Sequence, residues 1–255
     1  DDAALVLDVM AGQDPLDSTT IARDSSGYLN MPTDVAGKKV GVITEYMGEG
    51  LHDNVRAVIQ SSIDALRAAG ADVKEISLPS LPLALAVYYI ICPAEVSSNL
   101  SRYDGQRFGF SDDTATNLEE SFSKSRAKGF GDEAKRRIMI GTYVLSSGYY
   151  DAYYRKAQTV RTKLINEFAE AFDKVDFLLG PTAPDIAFKI GENAHDPLKM
   201  YLTDIMTVAA NLAGIPAITI PAGMSNNMPV GLQLMAGQKN DRQLLGFAKA
   251  TEALL

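Results

Sequence analysis

Two serine pairs and two histidines are the residues best suited by type to nucleophilic or acid–base chemistry. The serines stand in Ser25-Ser26-Gly27 and Ser146-Ser147-Gly148, and the histidines are His52 and His195. A serine nucleophile needs a neighbouring base and a turn that exposes its hydroxyl, and the chain contains no G-x-S-x-G elbow. Neither pair lies in a glycine-rich loop, and Ser146 falls at a predicted helix end, where capping is the simpler role. We therefore predict surface histidines and no catalytic residue in this chain.

Three further features of the composition indicate what class of protein this is: its cysteine count, its few metal-binding side chains and its short apolar runs. Cys92 is the single cysteine and cannot form an internal disulfide, which is typical of a reducing cytoplasm. Two histidines and one cysteine are too few for a zinc site. The longest apolar run, Leu83–Cys92, has ten residues, whereas a bilayer span needs about 20. We expect a cytoplasmic protein with no metal, no bound cofactor and no membrane contact.

Charge is unevenly distributed along the chain. The net charge of −8 argues against general affinity for nucleic acid. Residues 1–34 hold seven aspartates and one arginine, whereas residues 124–163 hold ten Lys/Arg and three acidic residues. This basic block is able to contact phosphate, but solvated basic helix faces would give the same pattern.

A β-α-β pattern occupies residues 38–78. Residues 38–44 predict a buried strand. An apolar stripe predicts a helix that Asp53 caps and Gly70 ends, and residues 72–78 predict a second strand, parallel to the first. The turn at residues 45–50 lacks G-x-G-x-x-G spacing and carries two carboxylates, which excludes a nucleotide site.

The remaining elements complete a single α/β unit over residues 1–255. A helix begins at residues 1–2, as if the chain were part of a longer one, and Asp204 is a candidate N-cap for a helix ending near Ala213. Further helices are predicted at 83–100 with a kink at Pro93, 114–128, 132–146, 149–174 and 241–254, and further strands at 176–179, 217–220 and 230–235. These patterns predict a mixed sheet flanked by helices.

Several motifs resemble one family. Residues 14–19 (DPLDST), 214–223 (GIPAITIPAG) and 229–233 (PVGLQ) resemble the C-terminal half of the amidase signature family. Residues 97–105 (SSNLSRYDG) and 136–154, which include RRIMIGT and SSGYYDAYY, are similar to the glutamyl-tRNA(Gln) amidotransferase A-subunit branch of that family. The resemblance covers essentially the whole chain and implies the C-terminal part of the amidase-signature fold.

The resemblance implies a transamidation carried out by several subunits. In that branch the A subunit hydrolyses glutamine, and the ammonia passes to a B subunit that uses ATP and Mg²⁺ to convert Glu-tRNA(Gln) into Gln-tRNA(Gln). A small C subunit braces the assembly, and tRNA is reached through the B subunit. The family's serine nucleophile, bridging serine and lysine lie in a Gly/Ser-rich signature that this sequence does not contain. We therefore expect the chain alone to be inactive.

The resemblance also points to three substrate-binding residues. It implies that Arg137 binds the α-carboxylate of glutamine, that Asp204 binds the α-ammonium group and that the Tyr88 phenol faces the amide. A forked guanidinium suits a carboxylate better than a lysine does. The residues alone favour a different interpretation, in which Arg137 is a solvated arginine paired with Glu133 and Tyr88 is a packed core tyrosine.

Two other functions are compatible with the sequence. One is another amidase-signature hydrolase that cleaves a simple carboxamide and needs no Arg137 and Asp204 pair. The other is a non-catalytic binding or assembly module that uses the basic block on RNA.

Overall fold

The computed structural model describes the chain at residues 1–23, 27–29, 31–32, 34–193 and 196–255. Its contacts group into two compact units. The sheet unit comprises Asp1–Pro82 and Leu164–Leu255, and the helical unit comprises Leu83–Lys163. The helical segment in the middle of the chain makes enough contacts of its own to be compact. That residues 1–255 form a single α/β unit stays a prediction.

Five strands form one mixed sheet in the order β2-β1-β3-β5-β4. The strand β1 is parallel to both of its neighbours, and β5 is antiparallel to both of its own. The predicted mixed sheet flanked by helices is confirmed. The strands are β1 (Lys39–Ile43), β2 (Asp72–Ile76), β3 (Phe177–Pro181), β4 (Ala217–Ser225) and β5 (Met228–Ala236).

The α-helices alternate with these strands and fill the middle of the chain. Helices α3 to α5 belong to the helical unit, and a π-helical segment, Tyr150–Arg155, precedes α6. In chain order the helices are α1 (Asp2–Met10), α2 (Asp53–Ala68), α3 (Ala84–Asn99), α4 (Leu118–Gly129), α5 (Asp132–Leu145), α6 (Lys156–Phe172), α7 (Pro197–Leu202), α8 (Val208–Ala213) and α9 (Asp241–Glu252).

The predicted β-α-β unit is present as β1, α2 and β2. The two strands pair in parallel, with Lys39 opposite Asp72. Gly70 ends α2 with a positive φ of 91°, a conformation that costs glycine little. His52 is the N-cap and Asp53 is the first helical residue, so the cap stands one residue before the predicted one.

The core of the sheet unit lies between the sheet and helices α2 and α9. Ile59 and Leu66 of α2 are fully buried, and Phe247 of α9 stacks on Phe177 of β3 with ring centroids 4.1 Å apart. Burial of each such side chain contributes about 1.5–3 kcal/mol.

Two helices of the middle segment begin later than predicted. Asn117 is the N-cap of α4, and its side-chain oxygen accepts a hydrogen bond from the Glu120 backbone N–H at 2.9 Å. Glu120 in turn accepts from the Thr116 N–H at 3.1 Å, a reciprocal arrangement that fixes where the helix begins. The predicted helix at 149–174 opens instead with the π-helical segment, where Tyr150 and Tyr154 are in ring contact at 5.3 Å.

One stretch of the described chain is long and apolar enough to cross a membrane, by length and composition only. It is Leu81–Arg102, 22 residues that include α3. The core helix of a packed unit passes the same test, and residues of α3 such as Ala84, Val87 and Ala94 are buried. The finding is therefore weak evidence for a span.

Candidate functional site

Arg137 lies on the face of α5 that packs against α3. Its Nε donates a hydrogen bond to Glu133 Oε1 at 2.9 Å, and its Nη1 donates to the Tyr88 hydroxyl oxygen at 3.3 Å. The same nitrogen is 3.9 Å from the Cys92 sulfur. The Arg137 side chain is 24% exposed, so its guanidinium is partly desolvated yet reachable from solvent.

Close approach of α3 and α5 is what brings these groups together. Gly141, one turn after Arg137, faces Pro93 and Ser97 of α3. A Cβ at Gly141 would stand 1.9 Å from the Pro93 carbonyl oxygen, so only glycine fits. The contact sets the two helix backbones close enough for Arg137 to reach Tyr88.

The charges of this cluster support one another. Partial burial disfavours the charged guanidinium, but hydrogen bonds to Tyr88 and Glu133 outweigh it and raise the pKa of Arg137 above its usual value. Burial also disfavours the charged form of Glu133, yet the adjacent arginines lower the pKa of that carboxyl. Burial raises the pKa of the Tyr88 hydroxyl. The cluster therefore presents a permanent cation beside a neutral phenol.

Two members of the cluster were missed by the sequence reasoning. The Tyr89 ring lies under Arg137, with 5.6 Å between the guanidinium carbon and the ring centroid, a cation–π contact. Cys92 lies one helical turn after Tyr88, and its sulfur is 3.9 Å from Arg137 Nη1. The i, i+4 spacing of Tyr88 and Cys92 on one helix was the available signal.

The structure brings Arg137 and Tyr88 together, and it also shows the Glu133 pair that the residues alone allow. Asp204 belongs to the sheet unit, between α7 and α8, and is exposed. The prediction that Asp204 caps a helix is wrong, because the N-cap of α8 is Thr207. Within the described ranges the Asp204 carboxylate has no hydrogen bond or ion pair, which leaves it available to a cation.

The other candidate nucleophiles and bases do not assemble into a catalytic group. The Ser146 hydroxyl donates to the Tyr143 carbonyl at 2.7 Å, and Ser146 is the C-cap of α5, as predicted. His52 Nδ1 lies 3.3 Å from an Asp185 carboxylate oxygen, and the described part of the chain places no serine hydroxyl in hydrogen bond with His52. Ser25, Ser26 and His195 lie outside the described residues.

A cavity of about 730 Å³ opens in the sheet unit beyond the carboxyl end of β3. Thr182 and Thr219 share a hydrogen bond of 3.0 Å at its wall, and Val55 and Pro221 contribute apolar surface. Of the described residues that line it, none is Arg137, Asp204 or Tyr88.

The basic block at residues 124–163 is largely paired within the helical unit. Partners for six of its Lys/Arg side chains include Asp112, Glu120 and Asp151. Arg126 donates instead to the carbonyls of Leu100 and Tyr103, at 2.9 and 2.8 Å. Pairing weakens the field of the block, which favours ordinary helix faces over a phosphate-binding surface.

Comparison with known proteins identifies the family. The sequence profile described as "Amidase" matches residues 1–245. The chain belongs to the amidase family. The resemblance predicted from its motifs is thus confirmed.

The described residues contain no group of three or more His, Cys, Asp and Glu side chains that could hold a metal ion.

Several proteins similar to this chain are glutamyl-tRNA(Gln) amidotransferase A subunits. The chain is 48% identical over 252 residues to this protein of Thermoanaerobacter pseudethanolicus, covering 98% of this chain and 52% of that protein. The same protein of Nitrosococcus oceani is 49% identical over 248 residues, with 97% and 51% covered. The crystal structure of its counterpart from Thermotoga maritima matches with a TM-score of 0.76 at 38% identity, covering 98% of this chain and 49% of that one. This amidase chain thus spans about half the length of the curated relatives it matches.

Proposed function

We propose that the chain is the glutamine-recognition half of a glutamyl-tRNA(Gln) amidotransferase A subunit. The contact between Arg137 and Tyr88 carries this proposal. Free glutamine differs from a simple carboxamide by its α-carboxylate and α-ammonium groups, so an enzyme that selects it needs a fixed cation and a fixed anion. A hydrolase of simple carboxamides would need neither.

Arg137 is suited to bind the α-carboxylate. Its Nε donates to Glu133, and its Nη1 donates to Tyr88 and, over 3.9 Å, to the Cys92 sulfur, whereas Nη2 makes no hydrogen bond among the described residues. Nη2 can therefore donate to a carboxylate, and Nη1 can add a parallel hydrogen bond when the carboxylate replaces its long contact with Cys92. Its partial burial strengthens that contact, because fewer waters compete for the guanidinium.

Tyr88 and Asp204 complete the proposed recognition. The Tyr88 oxygen accepts from Arg137, and its hydroxyl also forms a hydrogen bond with Cys92. We propose that the substrate amide takes the hydroxyl hydrogen in place of the sulfur, which is a weak acceptor. We assign the α-ammonium group of glutamine to the exposed side chain of Asp204.

The rest of the reaction is assigned to other parts of the assembly. The Gly/Ser-rich signature that supplies the nucleophile is not among these residues, so we propose that the chain alone is inactive. The B subunit uses ATP and Mg²⁺ and contacts tRNA, the C subunit braces the complex, and the assembly works in the cytoplasm without a membrane. This chain is proposed to bind no cofactor.

Arg137→Ala in the complete amidotransferase tests the proposal. Leaving the glutamine carboxylate without its partner costs roughly 2 kcal/mol, about 30-fold in kcat/KM, the lower end for buried charged pairs because the site is partly exposed. The loss falls mainly on KM if the contact is equally strong in the ground and transition states. Activity with ammonium chloride as nitrogen donor stays unchanged, because free ammonia bypasses the glutamine site.

Arg137→Lys is the matched variant. It keeps the charge but not the forked geometry, so we expect only partial recovery of the glutamine KM. A wild-type glutamine KM in the alanine variant would exclude Arg137 from the site, and equal loss of both activities would indicate a damaged fold instead.

A further inference from the structure

Glu133 lies between two arginines at the start of α5. Its Oε1 accepts from Arg137 Nε at 2.9 Å, and its Oε2 pairs with Arg136 Nη1. An i, i+4 ion pair on an open helix surface adds little to stability. Here Arg137 also donates a hydrogen bond to Tyr88 and lies over the Tyr89 ring. The Glu133 carboxylate therefore binds an arginine that other side chains already hold in place.

The bond from Glu133 selects which edge of the guanidinium is presented. With Nε bound by Glu133 and Nη1 by Tyr88, two points fix the plane of the group. Nη2 then remains without a hydrogen bond among the described residues, and Nη1 has only its long 3.9 Å contact with the Cys92 sulfur to give up. An incoming carboxylate can take both positions, because it binds best to two parallel N–H groups. An arginine without the Glu133 contact would sample several rotamers and lose that freedom on binding.

The second arginine keeps the cluster attractive to an anion. Glu133 alone would cancel the charge of Arg137 and repel a substrate carboxylate. Because Arg136 also pairs with Glu133, the three side chains together hold two cations and one anion. The cluster therefore orients Arg137 without losing its net positive charge.

We infer that Glu133 is a positioning residue for the glutamine carboxylate, acting through Arg137. This inference rests on the proposed function of Arg137. It extends that function to a residue that does not touch the substrate, and assigns Arg136 the task of balancing the charge of Glu133.

Glu133→Gln in the complete amidotransferase tests the inference. The neutral amide keeps the size of the side chain but weakens a charge-assisted hydrogen bond, so the KM for glutamine should rise about five- to tenfold. The kcat for glutamine and the activity with ammonium chloride should stay within about twofold, because the reacting atoms are untouched. Glu133→Asp keeps the charge with a shorter reach and should give an intermediate KM.

Asp132→Asn is the control for a purely structural effect. Asp132 occupies the same first turn of α5 and pairs with Lys135 at 3.8 Å, and its side chain is 96% exposed. It shares the favourable interaction of Glu133 with the helix dipole but has no bond to Arg137. We expect an unchanged KM for glutamine in this variant, even if the melting temperature falls as much as in Glu133→Gln.

The outcomes separate the inference from the function on which it rests. If Glu133→Gln keeps the wild-type KM while Arg137→Ala raises it, Glu133 does not position Arg137 and the proposed function stands. If Asp132→Asn raises KM as much as Glu133→Gln, helix stability explains both and the inference is overturned. If Arg137→Ala itself keeps the wild-type KM, the proposed site fails and the role of Glu133 fails with it.

Discussion

Gly141 of α5 lies directly against the Pro93 carbonyl oxygen of α3, with no room for a side chain between the helices. A Cβ at this position would meet backbone atoms at 1.9 and 2.6 Å, and backbone cannot move aside as a flexible side chain can. The relationship bears on the proposed function because Arg137 lies one turn before Gly141 on the same helix face.

Gly141→Ala should therefore destabilise the helical unit. Overpacking of this kind costs about 1–3 kcal/mol, and relief of the clash would move α5 away from Tyr88. We expect a lower midpoint in chemical denaturation followed by helical circular dichroism. Gly148→Ala is the control, because a Cβ there meets nothing within 4 Å. Equal midpoints for the two variants would contradict the close packing.

Tyr88→Phe tests the hydroxyl that joins α3 to the guanidinium. Removing it deletes the acceptor at 3.3 Å from Arg137 Nη1 while leaving the ring in place. A lost hydrogen bond to a charged group costs roughly 1.5 kcal/mol, so we expect about a tenfold higher KM for glutamine in the complete enzyme. Tyr103→Phe, an exposed tyrosine of the same unit, should change nothing. A wild-type KM for Tyr88→Phe would limit this residue to packing.

Much of the fold could be read from the sequence because local signals agreed with tertiary packing. The apolar stripe of α2 and the glycine that ends this helix, Gly70, predict the β-α-β unit correctly, because both signals depend only on residues close together in the sequence. The helix predicted from residue 114 begins at Leu118, because the Asn117 side chain accepts from the Glu120 N–H and ends the preceding turn there. The division into two units depends on contacts between distant residues, which periodicity does not report.

The candidate site could be predicted only in part, because some of its contacts also join residues that are distant in the sequence. A spacing of four residues predicts the pair of Glu133 and Arg137, and the structure contains it. The contacts of Arg137 with Tyr89 and Cys92 join residues 48 and 45 positions apart on two helices. They depend on the glycine at 141, whose role becomes visible only once α3 and α5 are packed.

The stability of the helical unit should depend on pH through Asp112. Its buried carboxylate pairs with Lys128 and accepts from the Thr114 N–H at 2.9 Å. The hydrogen bond from Lys128 has the largest effect, and together with the bonds from Thr114 it lowers the pKa of Asp112 to about 2. The pKa of an aspartate in an unfolded chain is about 3.9. A depressed folded-state pKa stabilises the fold above the unfolded value, and this contribution is lost as pH falls from about 4 towards 2.

Asp112→Asn is therefore expected to lower the thermal midpoint at pH 5 and to narrow its difference from wild type as pH falls to about 2. Melting curves of the chain at intervals between pH 2 and pH 5 measure this directly. Asp113→Asn, at the exposed neighbouring position, provides the reference for loss of one surface charge. A difference between Asp112→Asn and wild type that is constant over the range would exclude the proposed linkage.

The 255-residue chain by itself should release no ammonia from glutamine above the rate in buffer. Substrate contacts without a nucleophile give orientation but no acyl-enzyme, so the barrier to amide cleavage is not divided into easier steps. Ser146 is engaged as the cap of α5 through its bond to Tyr143, and His52 faces Asp185 rather than a serine. The complete amidotransferase in the same coupled ammonia assay shows that the assay responds. Steady release by the purified chain that disappears in a Ser147→Ala or Ser146→Ala variant would show that a serine of this half is a nucleophile, and the assignment of catalysis to the signature region would then be wrong.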